Sequence, residues 1–152
     1  MEAPPIKALL VDDDPVMRDI LSTILEDRGY AVDSAHEGFA ALDLLADGSY
    51  NLVVTDRYMP GMDGLTLCRT LRECTRGSAY VYCIMLTAAD DEGTLVAAME
   101  AGVDDFLGKP LREVELGARL HAAERVLALE AGLANRNREL AGAYARVRRE
   151  LE

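Results

Sequence analysis

An alternation constrains this chain more than any other feature. Short apolar runs, IKALLV (6–11), AVDSA (31–35), NLVVT (51–55), YVYCIML (80–86) and VDDFLG (103–108), are separated by stretches whose apolar residues recur at helical spacing. Several runs read as apolar on both faces, the pattern of strands in a parallel sheet covered by helices on each side. Between the first two runs, Val16, Met17, Ile20, Leu21, Ile24 and Leu25 form a stripe at four-residue spacing, and Gly29 after Arg28 supplies a stop. Further helices are expected over Gly38 to Leu45, Gly64 to Glu73 and Glu92 to Ala101. Strands alternating with helices through right-handed crossovers give an α/β fold, a doubly wound (βα)5 parallel sheet.

With 152 residues, half of them apolar, the chain can bury one core and carry an appendage. A net charge of -11 lacks the basic face that phosphate backbones require, so no nucleic-acid partner is expected. No apolar run reaches the roughly 18 residues of a membrane span, and MEAPPIK resembles neither a secretory signal nor a transit peptide. The expected setting is cytoplasmic, with no membrane partner. Cys68, Cys74 and Cys83 match neither CxxC nor zinc-ligand spacing and lie far from His36 and His121 in sequence, so all three are expected as buried, reduced thiols.

Ligands of doubly wound sheets bind beyond the carboxyl ends of the strands, where strand order reverses. Asp12 and Asp13 follow the first run, Asp56 ends the third, Thr87 ends the fourth, and the fifth leads into Lys109. Three carboxylates sharing a pocket raise one another's pKa or hold a divalent cation, and Mg2+ suits a few hard oxygens plus water and phosphate. An ammonium beside them suits a phosphoryl group, with Asp56 as its nucleophilic acceptor. The third acid of LLVDDDP differs: Asp14 reads as a helix N-cap, with Pro15 at the first helical position, where no donor is needed. Lys109 is one of two lysines among 16 basic residues, which points to a need for a compact ammonium. Each residue also has a plainer reading taken singly: solvated acids, a strand-end hydroxyl at Thr87, a core aromatic at Phe106, and a turn at Pro60, Gly61 and Gly64.

The stretches LLVDDDP, VVTDRYMPGMDG, CIMLTA and DDFLGKP occur in the order and spacing of the receiver domains of bacterial two-component response regulators, and residues 6 to 120 resemble that family. The resemblance implies a CheY-like domain with flavodoxin-like strand order 2-1-3-4-5. It also implies that Asp56 is phosphorylated by a sensor histidine kinase or phosphotransfer protein. Asp13, Asp56 and the backbone carbonyl of Tyr58 would ligate Mg2+, and Asp12 would orient a metal-bound water. Lys109, ahead of a cis bond to Pro110, would pair with the phosphoryl group and Asp56. Thr87 and Phe106 would form the switch, Thr87 bonding a phosphoryl oxygen as Phe106 turns inward. In that family the side chain two residues past the acceptor lies near the attacking water; Tyr58 puts a bulky aromatic there, and Ala89, two after Thr87, is small.

After Pro110 the helical pattern runs to the C-terminus, on the order of 60 Å at 1.5 Å per residue. The expected division is a receiver over 1–118 and an extended helix over 119–152. Seven Arg and five Glu give the second region +2, leaving -13 for the first. Leu133, Leu140 and Val147 recur every seven residues with Asn137, Tyr144 and Leu151 four further on, a coiled-coil seam for a parallel homodimer in which one Asn sets register. The flanking positions form no complementary charge set, and a helix folded back on its own domain is the plainer alternative. ERVLALEAGLANRNREL is similar to connectors that precede diguanylate cyclase domains, although no cyclase signature is present. The expectation is therefore a phosphorylation-driven switch, either part of a longer regulator or a stand-alone receiver signalling by protein contacts. A metal-dependent phosphohydrolase is disfavoured, since such enzymes on similar sheets need a second acid two residues after the nucleophile, where Tyr58 stands. A silent dimerisation module is disfavoured by the intact acid–Thr–Lys set.

Overall fold

The computed structural model describes residues 6–75, 79–88 and 92–151. Five strands, β1 (Lys7–Val11), β2 (Ala31–Ala35), β3 (Leu52–Asp56), β4 (Tyr82–Ala88) and β5 (Asp105–Lys109), alternate with α1 (Pro15–Asp27), α2 (Gly38–Leu45), α3 (Gly64–Cys74), α4 (Glu92–Ala101) and α5 (Glu113–Leu151). All strand pairs are parallel, in the order 2-1-3-4-5. The doubly wound fold and its strand order are those the sequence led us to expect.

Alternate residues of the central strands feed two separate cores. Leu9, Val11, Val53, Cys83 and Met85 pack with Ala41, Leu45, Leu67, Cys68, Leu71 and Ala98 from α2, α3 and α4. Ala8, Leu10, Leu52, Val54, Ile84 and Leu86 point the other way and pack with Leu21 and Leu25 of α1 and Leu116, Leu120 and Ala123 of α5. This two-sided burial explains the unbroken apolar runs of β1, β3 and β4. β2 is different: it lies at the sheet's edge, where Ala31, Asp33 and Ser34 are exposed and only Ala35 is buried.

The helix ends follow local chemistry. Asp14 caps α1, its carboxylate accepting from Val16 N at 3.0 Å, with Pro15 in the first turn. After Arg28, Gly29 adopts φ +90°, a left-handed turn that residues with a Cβ disfavour.

Three expectations need correction. Of the α1 stripe only Leu21 and Leu25 are buried, while Val16 and Ile20 are exposed. At 100° per residue these two lie well round the helix from the line facing β1 and β2. Cys68 and Cys83 are buried free thiols, but Cys74 is exposed, because it sits in the last turn of α3, beyond the part that covers the sheet. Finally, β4 and β5 start about two residues later than their apolar runs, so Thr87 lies inside β4 and Lys109 closes β5. Apolar content locates a buried segment but not where its ladder bonds begin.

α5 is one helix of 39 residues, about 58 Å long. Its inner stripe is buried at Leu116, Leu120 and Ala123, with Val126 and Leu127 packed at the margin. At that point Glu124 ties α5 to the turn between α1 and β2. Its carboxylate accepts from Arg28 Nη2 at 3.1 and 3.2 Å and from the Tyr30 hydroxyl at 2.9 Å. Leu133, Asn137, Leu140, Tyr144, Val147 and Leu151 are all exposed to solvent.

Candidate functional site

Parallel pairing brings the strand ends to one level. Asp56 stands opposite Leu86, Thr87 opposite Gly108 and Ala88 opposite Lys109, so the ends of β3, β4 and β5 deliver a carboxylate, a hydroxyl and an ammonium to the same edge. β1 lies on the other side of β3 and supplies Asp12 and Asp13 from the residues after Val11. Asp56 is 8 % exposed, and its Oδ1 accepts from Lys109 Nζ at 2.8 Å and from Arg57 N at 2.9 Å. The Lys109–Pro110 bond is cis, as the family resemblance implied.

One carboxylate oxygen from each of Asp12, Asp13 and Asp56 lies within 4.8 Å of the others. Asp12 is buried and Asp13 exposed. Asp12 Oδ1 accepts from Asp14 N at 2.9 Å, whereas its Oδ2 is buried with no hydrogen-bond partner. Burial pushes the Asp12 carboxyl above the usual range, and the neighbouring charges of Asp56 and Asp13 add to this, against the opposing pull of Asp14 N–H and Lys109. A buried oxygen without a donor, in a cluster of three acids balanced by one lysine, is what a hard divalent cation satisfies. The residues present therefore fit Mg2+.

On the other side of Asp56, Thr87 is 7 % exposed, with Oγ1 buried and unpartnered. Phe106 is half-buried and packs against the core formed with α2, α3 and α4. Tyr58 is 59 % exposed at the start of the loop that joins β3 to α3. Ala89 lies outside the described residues. α3 crowds the site from behind: a Cβ on Gly64 would stand 2.3 Å from Asp56 O, closer than any side chain allows.

Asp12, Asp13, Asp56, Thr87 and Lys109 are thus brought together, while the six seam residues lie far along α5. Two features escaped the sequence reading. Arg57 donates to Asp63 Oδ2 at 2.8 Å, and Asp63 also caps α3 by accepting from Thr66 N at 2.9 Å. Arg72 joins α3 to the entries of β4 and β5 by donating to Val81 O at 2.6 Å, Gly102 O at 3.0 Å and Asp104 Oδ2 at 2.7 Å. The N-cap spacing from Asp63 to Thr66 was a legible signal; nothing local marked either arginine's partners.

A five-stranded 2-1-3-4-5 sheet with this strand-end pocket defines a CheY-like, flavodoxin-type domain. Residues 8–121 match the response regulator receiver domain, and the chain belongs to that family of two-component signalling proteins. Response regulator MprA of Mycobacterium sp. (strain KMS) is 42 % identical over 121 residues, which cover 80 % of this chain and 51 % of the relative. The chain thus matches about half the length of such curated relatives. Among solved structures, the chemotaxis protein CheY4 of Vibrio cholerae superposes with a TM-score of 0.73 at 26 % identity, covering 79 % of this chain and 99 % of that one. A two-component response regulator/GGDEF domain protein aligns with a TM-score of 0.73 at 30 % identity, over 81 % of this chain and 50 % of that one. Receiver domains generally work with Mg2+ and with a histidine kinase or phosphotransfer partner. No helix among the described residues is long and apolar enough to cross a membrane.

Proposed function

We propose that this chain is a phosphorylation-driven switch whose acceptor is Asp56. The observation that carries the reading is the 2.8 Å contact of Lys109 Nζ with Asp56 Oδ1, between the orphaned Asp12 Oδ2 on one side and the orphaned Thr87 Oγ1 on the other. A carboxylate oxygen of Asp56 attacks the phosphorus of a phosphohistidine presented by a sensor histidine kinase or phosphotransfer protein. The P–N bond breaks as the P–O bond forms, and the imidazole leaves with the electron pair and takes a proton. Asp13, Asp56 and the Tyr58 carbonyl would hold Mg2+, with Asp12 orienting a bound water, and the ion would supply positive charge against the phosphoryl oxygens. Lys109, on Asp56 Oδ1 at 2.8 Å, adds a fixed positive charge of the protein's own. Hydrolysis by water later returns the carboxylate and inorganic phosphate.

Thr87 responds by bonding a phosphoryl oxygen, which moves it toward the pocket and lets Phe106 turn further inward. A ligand acts on such a switch only through its unequal affinity for two states, and the partnerless Thr87 hydroxyl gives the phosphorylated state a bond that the other lacks. The division at residue 118 is one of role: residues 1–118 receive, while 119–152 transmit along a helix whose packing on the core continues to Leu127. Exposed Leu133, Leu140, Tyr144, Val147 and Leu151, with Asn137 among them, would pair two chains in parallel as a coiled coil. The output is a partner or domain outside these residues, and a diguanylate cyclase is supported by the connector-like sequence and by the GGDEF protein among the structural neighbours. A stand-alone receiver acting through protein contacts would use the same pocket.

Mass spectrometry after incubation with acetyl phosphate and Mg2+ tests the proposal. Wild type should gain one phosphoryl group, and Asp56→Asn or chelation should abolish the gain. A wild type that stays unmodified, or an Asp56→Asn chain modified equally, refutes it.

A further inference from the structure

The loop after Asp56 is held by a side chain to which the phosphoryl chemistry gives no part. Arg57 is anchored through its main chain: its N–H reaches Leu86 O at 2.9 Å and its carbonyl accepts from Gly64 N at 3.0 Å. Its guanidinium, on a side chain 13 % exposed, pairs with Asp63 Oδ2 at 2.8 Å, so the ion pair bridges the two ends of the 57–63 loop. The same guanidinium lies 4.3 Å from the centroid of the Tyr58 ring.

We infer that Arg57 is a positioning residue for the Mg2+ site, clamped between Asp63 and the Tyr58 ring so that the Tyr58 backbone carbonyl is held ready as a ligand. The inference rests on reading the pocket as a Mg2+ site. A backbone ligand is oriented only by the dihedrals around it, here those of residues 57 and 58. Pinning Arg57 at both main-chain ends and holding the Tyr58 ring against its guanidinium restricts them together. Arg57 Nε is buried without a partner, a desolvation cost that the single pair with Asp63 must offset. Arginine suits the double task because one planar group can stack on a ring and pair with a carboxylate, which an ammonium does less well.

Calorimetric titration of Mg2+ alone into the 152-residue chain tests this. Arg57→Gln and Arg57→Lys should each weaken Mg2+ binding about tenfold, as supporting residues of metal sites do, while cooperative unfolding is retained in EDTA. Tyr58→Leu keeps the carbonyl but removes the ring, and should weaken binding similarly. The double variant Arg57→Gln/Tyr58→Leu should be no weaker than either single one, because both act through one peptide. Wild-type binding with both Arg57 variants within about twofold of it overturns this inference alone, as does full recovery in Arg57→Lys or additive losses in the double variant. A wild type that binds no Mg2+ overturns the inference together with the reading beneath it.

Discussion

Gly64 and Thr87 show at single-residue scale how the pocket is spaced. Gly64→Ala forces a Cβ to within 2.3 Å of the Asp56 carbonyl oxygen, and because the obstacle is backbone the strand end or the helix must move. The expected cost is roughly 2–4 kcal/mol by chemical denaturation, with weaker Mg2+ binding, since the displaced atoms belong to Asp56 itself. Thr87→Ala should behave oppositely. Its hydroxyl is buried without a partner, so removing it should leave thermal stability equal to or slightly above wild type in the unphosphorylated chain. The variant should nevertheless lose the conformational response to acetyl phosphate, read by NMR shifts around Phe106. A retained response would show that Thr87 is not the switch.

At the scale of elements, α5 divides into a packed half and an exposed one. Leu120 is fully buried, so Leu120→Ala should destabilise the fold by about 2–5 kcal/mol, whereas Leu133→Ala at 55 % exposure should scarcely alter it and should lower self-association instead. Asn137→Leu should strengthen association and broaden the oligomer distribution in sedimentation velocity, because an apolar residue at that seam position no longer selects register. Unchanged mass across a concentration series would count against the seam. Where the two halves meet, Glu124 accepts three hydrogen bonds from Arg28 and Tyr30. Glu124→Ala should cost roughly 1–2 kcal/mol: the pair is about one-third exposed and partly screened, but the Tyr30 hydroxyl is left without its acceptor.

Over the whole molecule, tyrosines set an alkaline limit on stability. Burial pushes the Tyr30 hydroxyl up to about 12, with hydrogen bonding to Glu124 adding to it and the Arg28 guanidinium opposing it. Burial also raises Tyr50, Tyr80 and Tyr82, the first two helped by Asp33 and Asp104. A group whose folded pKa lies above its unfolded value binds more protons when folded, so its stabilisation is complete below about pH 10 and is lost as pH rises through the folded value. Denaturant midpoints should therefore fall between about pH 10 and 12, with tyrosinate absorbance rising together with unfolding. Tyr30→Phe should flatten part of that fall, and a slope identical to wild type would assign it to other groups.

Much of this molecule is legible locally. The alternation of apolar runs with helical stripes defines the doubly wound class, Asp14–Pro15 and Gly29 punctuate α1 through their own backbone preferences, and the acids, Thr and Lys at strand ends mark the pocket because parallel strands all present their carboxyl ends on one edge. Tertiary packing decided the rest. A stripe says which side of a helix is apolar but not how much of it the sheet reaches, so Val16, Ile20 and Cys74 proved exposed. Partners such as Arg28 with Glu124, or Arg57 with both Asp63 and the Tyr58 ring, arise because folding carries side chains to positions that chain spacing does not encode.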